Sequence, residues 1–171
     1  MATELETLAL YQPSGGVPNS ALPLLLYHHV SHEAQLAGAF ESLFASNGWP
    51  PRWRYTVFTY THFHSNTHEV LGVFAGSARI QFGGESGPIV DISRGDAVLI
   101  PAGVGHKQIE ASEDFMCVGA YPEGCSPDKY LDQQEVPAEV RDHLAKVAMP
   151  ACDPVTGKKG GIQEFWGVNI R

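Results

Sequence analysis

Cysteine is scarce. The chain holds three in 171 residues, Cys117, Cys125 and Cys152, an odd number and widely spaced. That excludes a disulfide framework and a CxxC metal site, and it fits free thiols in a reducing cytoplasm. Basic blocks are missing altogether. Lys plus Arg number 11 against 19 Asp plus Glu, a net charge of −8. A phosphate backbone would be repelled, which removes nucleic acid from the expected partners. No run of eighteen apolar residues occurs, and the longest apolar patch, Ala21 to Tyr27, is broken by Pro23, so no membrane-spanning helix is expected. The opening MATELETLAL begins with acids rather than Lys or Arg, which predicts no secretory leader. GxSxG, Walker and dinucleotide fingerprints are all lacking. Gly83-Gly84-Glu85-Ser86-Gly87 precedes no helix and reads as a hairpin loop.

What is present suits one globular domain. Hydrophobic residues make up 43%, enough to fill a core at this length. Residues 1–20 read as a polar lead-in ending in turn chemistry, and Leu22 to Val30 as a strand. Over 32–46 the residues Leu36, Ala39, Phe40, Leu43 and Phe44 share one helical face. Asn47-Gly48 and Pro50-Pro51 stop that helix. From about Tyr55 to Tyr121 the period becomes two. YTVFTYTHFH, HEVLGVFAG, SARIQFGG, PIVDIS, AVLIP, HKQIEA and FMCVGAY read as short strands separated by Gly-rich turns. That pattern means an all-β sandwich or barrel. A helix over Ala138 to Val147 follows Pro137, and IQEFWGV reads as a last strand docking on the barrel.

The chemistry concentrates in HFHSNTHE, residues 62–69. Alternate residues of a strand point to one side, so His62 and His64 share a face with Phe58 and Tyr60. Glu69 lies past a short turn, where a hairpin returns it beside the pair. Two imidazoles and a carboxylate form a facial ligand set for divalent transition metals. In GDAVLIPAGVGH, Pro101 and Gly103 bend the chain and His106 opens the next strand as a third imidazole.

These two stretches resemble the paired motifs of the cupin superfamily. The first motif is matched by His62, His64, Glu69 and Gly76 in register, with Thr56 where a Gly is usual. The second is matched by Gly95, Pro101, Gly103 and His106, with Glu110 in place of Asn. LPLLLY near the start and DPVTGKKGG with Trp166 near the end are similar to a group of small bacterial cupins called YjlB-like. The resemblance implies a double-stranded β-helix, a jelly-roll-like small barrel over about 50–125. An N-terminal extension spans 1–49 and a C-terminal helix and tail span 126–171, all within one cupin domain. It implies that His62, His64, Glu69 and His106 hold a divalent transition metal (Fe, Mn, Ni, Zn or Cu), with about two open positions. A homodimer is also expected, because the LPLLLYHHV strand and the 32–46 helix offer apolar surface beyond a minimal barrel.

Around that set, Gln108, Glu110 and Tyr60 are the candidate catalytic residues. Gln108 and Glu110 share the His106 face if their strand is regular, and a buried Glu110 could serve as general base. His68 is out of phase with Glu69 and reads as a surface or supporting residue rather than a ligand. Cys117 reads as a packed thiol, since no base or cation is identifiable beside it. The expected function is a metal-dependent enzyme of the dioxygenase or isomerase type acting on a small molecule. A non-catalytic module binding a carboxylate or sugar acid is the first alternative. A metal-free sugar-epimerase-like cupin is the second, and the intact ligand set counts against it. The fold alone does not choose the reaction.

Overall fold

A computed structural model describes residues 2–167. Fourteen elements follow in chain order: β1 Glu4–Leu8, β2 Leu24–His28, α1 Leu36–Ser46, β3 Pro51–Tyr55, β4 His62–Phe63, β5 Glu69–Ala75, β6 Ser77–Phe82, β7 Ile89–Ser93, β8 Ala97–Ile100, β9 His106–Ala111, β10 Met116–Ala120, β11 Tyr130–Leu131, α2 Ala138–Ala145 and α3 Gly161–Phe165. They form two antiparallel sheets, one ordered β1-β2-β8-β5-β10-β3 and the other β11-β4-β9-β6-β7. From β3 onward the chain crosses repeatedly from one sheet to the other. This is the double-stranded β-helix.

The inner strands of the six-stranded sheet, β2, β8, β5 and β10, are buried on both faces, which explains their continuous apolar runs. Leu24 and Leu26 of β2, Leu71 and Val73 of β5, and Val98 and Ile100 of β8 face the barrel core with Ile80, Phe82 and Cys117. Their neighbours Leu25, Tyr27, Val70, Ala97 and Leu99 face outward onto Phe40 and Phe44 of α1, Trp49, Ile162 and Trp166. Gly72 lets α1 press this close, because a Cβ there would lie 2.7 Å from Phe40 Cγ. Gly76 has φ +70°, and makes the tight turn between β5 and β6 that a side chain would oppose.

The extensions are not appendages. β2 sits between β1 and β8 in the barrel sheet, and β11 adds to the other sheet beside β4. The lead-in therefore contains a strand, β1, whose alternating ELETL is too polar and short to stand out. The apolar surface assigned to a homodimer is consumed within the chain, by β2 and by Leu36, Phe40 and Phe44 of α1. YTVFTYTHFH is not one strand. Pairing stops at Tyr55 and resumes only at His62 and Phe63, with a loop between whose Phe58, Thr59 and Tyr60 are exposed. Gly161–Phe165 is a short helix rather than the expected last strand, and Val168 lies outside the described residues. A buried carboxylate organises this tail. Asp153 accepts the Tyr27 hydroxyl and the N–H groups of Val155, Thr156 and Ile162.

Candidate metal centre

Three imidazoles meet at one end of the barrel. His62 on β4 stands directly across from His106 on β9, with ring centroids 4.0 Å apart. His64 follows β4 in a bend whose carbonyl accepts the Gly103 N–H at 2.8 Å. That bond ties the first motif to the Pro101–Gly103 turn of the second. One ligating nitrogen of each ring lies within 4.8 Å of the other two, and all three residues are buried. Glu69 opens β5 between them, with Oε2 3.3 Å from His64 Nε2 and Oε1 3.2 Å from His106 Nε2.

Tautomers decide what this cluster can hold. His62 Nδ1 donates to the Tyr60 carbonyl at 3.3 Å, His64 Nδ1 to the Asp128 carbonyl at 2.5 Å, and His106 Nδ1 to the Val104 carbonyl at 3.1 Å. A carbonyl only accepts, so each Nδ1 carries its proton, and Nε2 is the atom that each deprotonated ring has left to offer a ligand. His106 Nε2 is buried with no hydrogen-bond partner. Buried ring nitrogens this close to one another, two of them beside a carboxylate, call for a cation or a proton among them. The donor set therefore fits a divalent transition ion, with rings oriented as ligating histidines usually are.

The electrostatics treat the rings differently. Burial, followed by the neighbouring His106 and His64, pushes His62 down to about 2, so it stays neutral. Burial opposes charge on His64, but the Glu69 carboxylate overrides it and raises that ring. Burial alone would push Glu69 up; His64 and His106 hold it well below the carboxylate range. Tyr121 donates to Glu69 Oε2 at 2.6 Å and accepts the Trp53 indole N–H at 2.9 Å. Burial, and then the Glu69 charge, push the Tyr121 hydroxyl upward, so it acts as a donor and not as an acid.

A segment after β10 crosses the site as a strap. The Asp128 carboxylate accepts the Ser65 N–H at 2.6 Å and the Ser65 hydroxyl at 2.5 Å, while its carbonyl fixes His64. The cluster opens into a cavity of about 420 Å³ walled by Trp53, Val57, Phe58, Leu71 and Tyr121, with Arg52 and Lys129 among its lining residues.

The candidate residues divide. His62, His64 and His106 converge, and Glu69 lies beside the last two. Tyr60 does not point inward with them: it is 39% exposed and stacks on Phe58 near the mouth. Glu110 leaves the site. A register shift between Arg79 and Ile80 pairs Glu110 with Arg79 and Gln108 with Ile80. The bulge turns Glu110 to the exposed outer surface, beside Asp91 and Ser93. Gln108 does not line the cavity, and its Oε1 is buried without a partner. His68 faces away from the ligands, as its phase requires, but it is buried rather than on the surface. Its Nδ1 accepts the Ala102 N–H at 2.9 Å and its ring lies 4.7 Å from Trp166. Cys117 is a packed thiol in the core, raised by burial.

Sequence reasoning missed Tyr121, Trp53, Asp128, Arg52 and Lys129. Tyr121 was within reach, since it keeps the parity of Cys117 just past the end of β10. The strap carries no periodic signal, and its Asp128 acts partly through a backbone carbonyl that any residue supplies.

No protein-family model matches the chain. It is 41% identical over 165 residues to the uncharacterized protein YjlB of Bacillus subtilis, covering 95% of this chain and 98% of that one. Among solved structures, a DUF861 family protein from Thermotoga maritima is 21% identical, with a TM-score of 0.35, over 51% of this chain and 92% of that one. A salicylate 1,2-dioxygenase from Pseudaminobacter salicylatoxidans is 13% identical, with a TM-score of 0.36, over 75% of this chain and 27% of that one. With both motifs in register on a double-stranded β-helix, and with YjlB matched along nearly its whole length, the chain belongs to the YjlB-like family of cupins.

Proposed function

We propose that this protein is a metal-dependent enzyme of the dioxygenase type, acting on a small organic molecule. His62, His64, Glu69 and His106 would hold the metal. One observation carries the reading: all three imidazoles commit Nδ1–H to backbone carbonyls and bring a ring nitrogen within 4.8 Å of one another, with Glu69 beside His64 and His106. A divalent transition ion supplies Lewis acidity there and, when redox-active, a means of using dioxygen.

The chain's own groups narrow the reaction. Tyr121 steadies Glu69, and the Asp128 carbonyl steadies His64. Apolar and aromatic walls flank the cluster. Among the described residues, the cavity contains no unengaged carboxylate or imidazole to shuttle a proton. Asp128 is occupied by Ser65, and Glu110 faces outward. Isomerase chemistry most often uses such a base. Dioxygenation, in which both oxygen atoms enter the substrate and no external reductant is consumed, does not.

The same lack of a base supports a second reading, a module that binds a small molecule on its metal without converting it. A homodimer would need a face other than β2 and α1; the exposed Ile89 on the β7 edge offers one. Light scattering giving a strict monomer at micromolar concentration removes it. Elemental analysis of untagged protein beside His106→Ala tests the centre. Near-stoichiometric metal, largely lost in the variant, supports it; wild type that takes up none overturns it. Oxygen uptake with small acids and phenols on the iron-loaded protein separates enzyme from binding module.

A further inference from the structure

The chain is acidic, yet the cavity mouth is not. Arg52 and Lys129 both line it. Among the described residues neither forms a salt bridge with a carboxylate, although four other cationic or imidazole side chains, His28, Arg54, Arg79 and Lys107, each pair with an acid outside the site. Arg52 spends one N–H on the Cys125 carbonyl at 3.0 Å, and its other donors remain available. Lys129 is posed more deliberately. Phe58 and Tyr60 stack at 5.0 Å with an interplanar angle of 12°. The ammonium stands 4.6 Å from the first ring centroid and 5.2 Å from the second, and it donates to the Tyr60 hydroxyl at 2.8 Å. Two aromatic faces and a hydroxyl hold the charge in place without neutralising it.

The cavity's acids are already committed, Glu69 to the histidines and Asp128 to Ser65. With a divalent ion bound, the positive groups outweigh the negative ones. Positive charge at a recessed mouth on an acidic protein concentrates anions there. Beyond the mouth the walls are Trp53, Val57, Phe58 and Leu71, which suit an apolar body. A cavity of about 420 Å³ has the size of ordinary small-ligand sites.

We propose that Arg52 and Lys129 form a carboxylate subsite at the cavity mouth, so that the substrate is a small organic acid with an apolar body. Its carboxylate lies between the two cations and its apolar body reaches toward the histidine cluster. Tyr60 is then a positioning residue, holding Lys129 where the carboxylate arrives. This deepens the function proposed above and rests on it for the role of the metal, but not for the anion preference.

The test is paired binding. Benzoate, phenylacetate and hexanoate are compared with their primary amides, on zinc-loaded and metal-free protein, by calorimetry and by quenching of tryptophan fluorescence. Metal content is measured in every sample. At least one acid is expected to bind about tenfold tighter than its amide, the effect of a hydrogen bond to a charged group, and less so in high salt. Lys129→Met and Arg52→Met should each lower that preference about tenfold, with amide binding and zinc content unchanged. Tyr60→Phe should lower it by a smaller factor, a change in preference that a purely structural tyrosine would not cause. Lys129→Gln replaces Lys129→Met if the latter fails to fold. No acid in the panel outbinding its amide, or a preference that survives both variants, overturns the subsite. Failure of zinc uptake with the preference intact overturns the metal reading instead.

Discussion

Acidification should loosen this protein through His68 before it empties the barrel core. His68 is 4% exposed, and burial lowers it from 6.5 to about 4. Its Nδ1 accepts from Ala102, so a proton added there would set donor against donor. The folded state thus binds this proton less readily than the unfolded chain. The stability it contributes is complete above about pH 6.5 and is lost as pH falls toward about 4. A drop from 6.5 to about 4 is worth about 3 kcal/mol. His68→Gln keeps an acceptor for Ala102 but cannot titrate. Urea unfolding of metal-free wild type and variant at pH 7.5 and pH 4 reads the difference directly. Wild type should lose about 3 kcal/mol more than the variant across that interval. Parallel losses would refute the assignment, as would an NMR titration placing His68 near 6.5.

Tyr121→Phe removes the hydroxyl donor to Glu69 and strands the Trp53 N–H. Zinc affinity should fall about 10- to 100-fold in a competition titration, as for other groups that orient a ligand. Ser65→Ala removes the hydroxyl bond, one of the two that tie the Asp128 carboxylate to the turn beside His64. Zinc should then leave about tenfold faster in a chelator chase, with little loss of stability. Gly72→Ala drives a methyl into Phe40; it should cost about 1–3 kcal/mol in urea unfolding and leave zinc stoichiometry unchanged.

Legibility followed locality. The turn residues Gly76, Gly95, Pro101 and Gly103 sit at fixed distances from the histidines, so the site's scaffold could be read from spacing. The inner strands of the six-stranded sheet were visible because both faces are apolar, and LLLY and AVLI admit little else. The failures share a different cause. Whether Glu110 faces in or out depends on one bulge against Arg79, which no alternation pattern records. Residues 55–64 alternate like a strand, but their partner β9 reaches only His62, and Phe58 offers just a carbonyl to Gln108. The strap is held by Ser65, Asn66 and Asp128 across 60 to 63 positions of chain, a distance that composition cannot span.

The buried Asp153 has a consequence for synthesis. Its partner Tyr27 precedes it by 126 residues, and the Trp166 indole donates to the Pro23 carbonyl across 143. A chain leaving the ribosome at about 5–20 residues per second presents β2 early and the tail that covers its outer face last. For that interval Tyr27, Leu25 and Trp49 lack their final cover. Ribosome-stalled chains ending before Asp153 should therefore recruit holdase chaperones, and chains released past Trp166 should not.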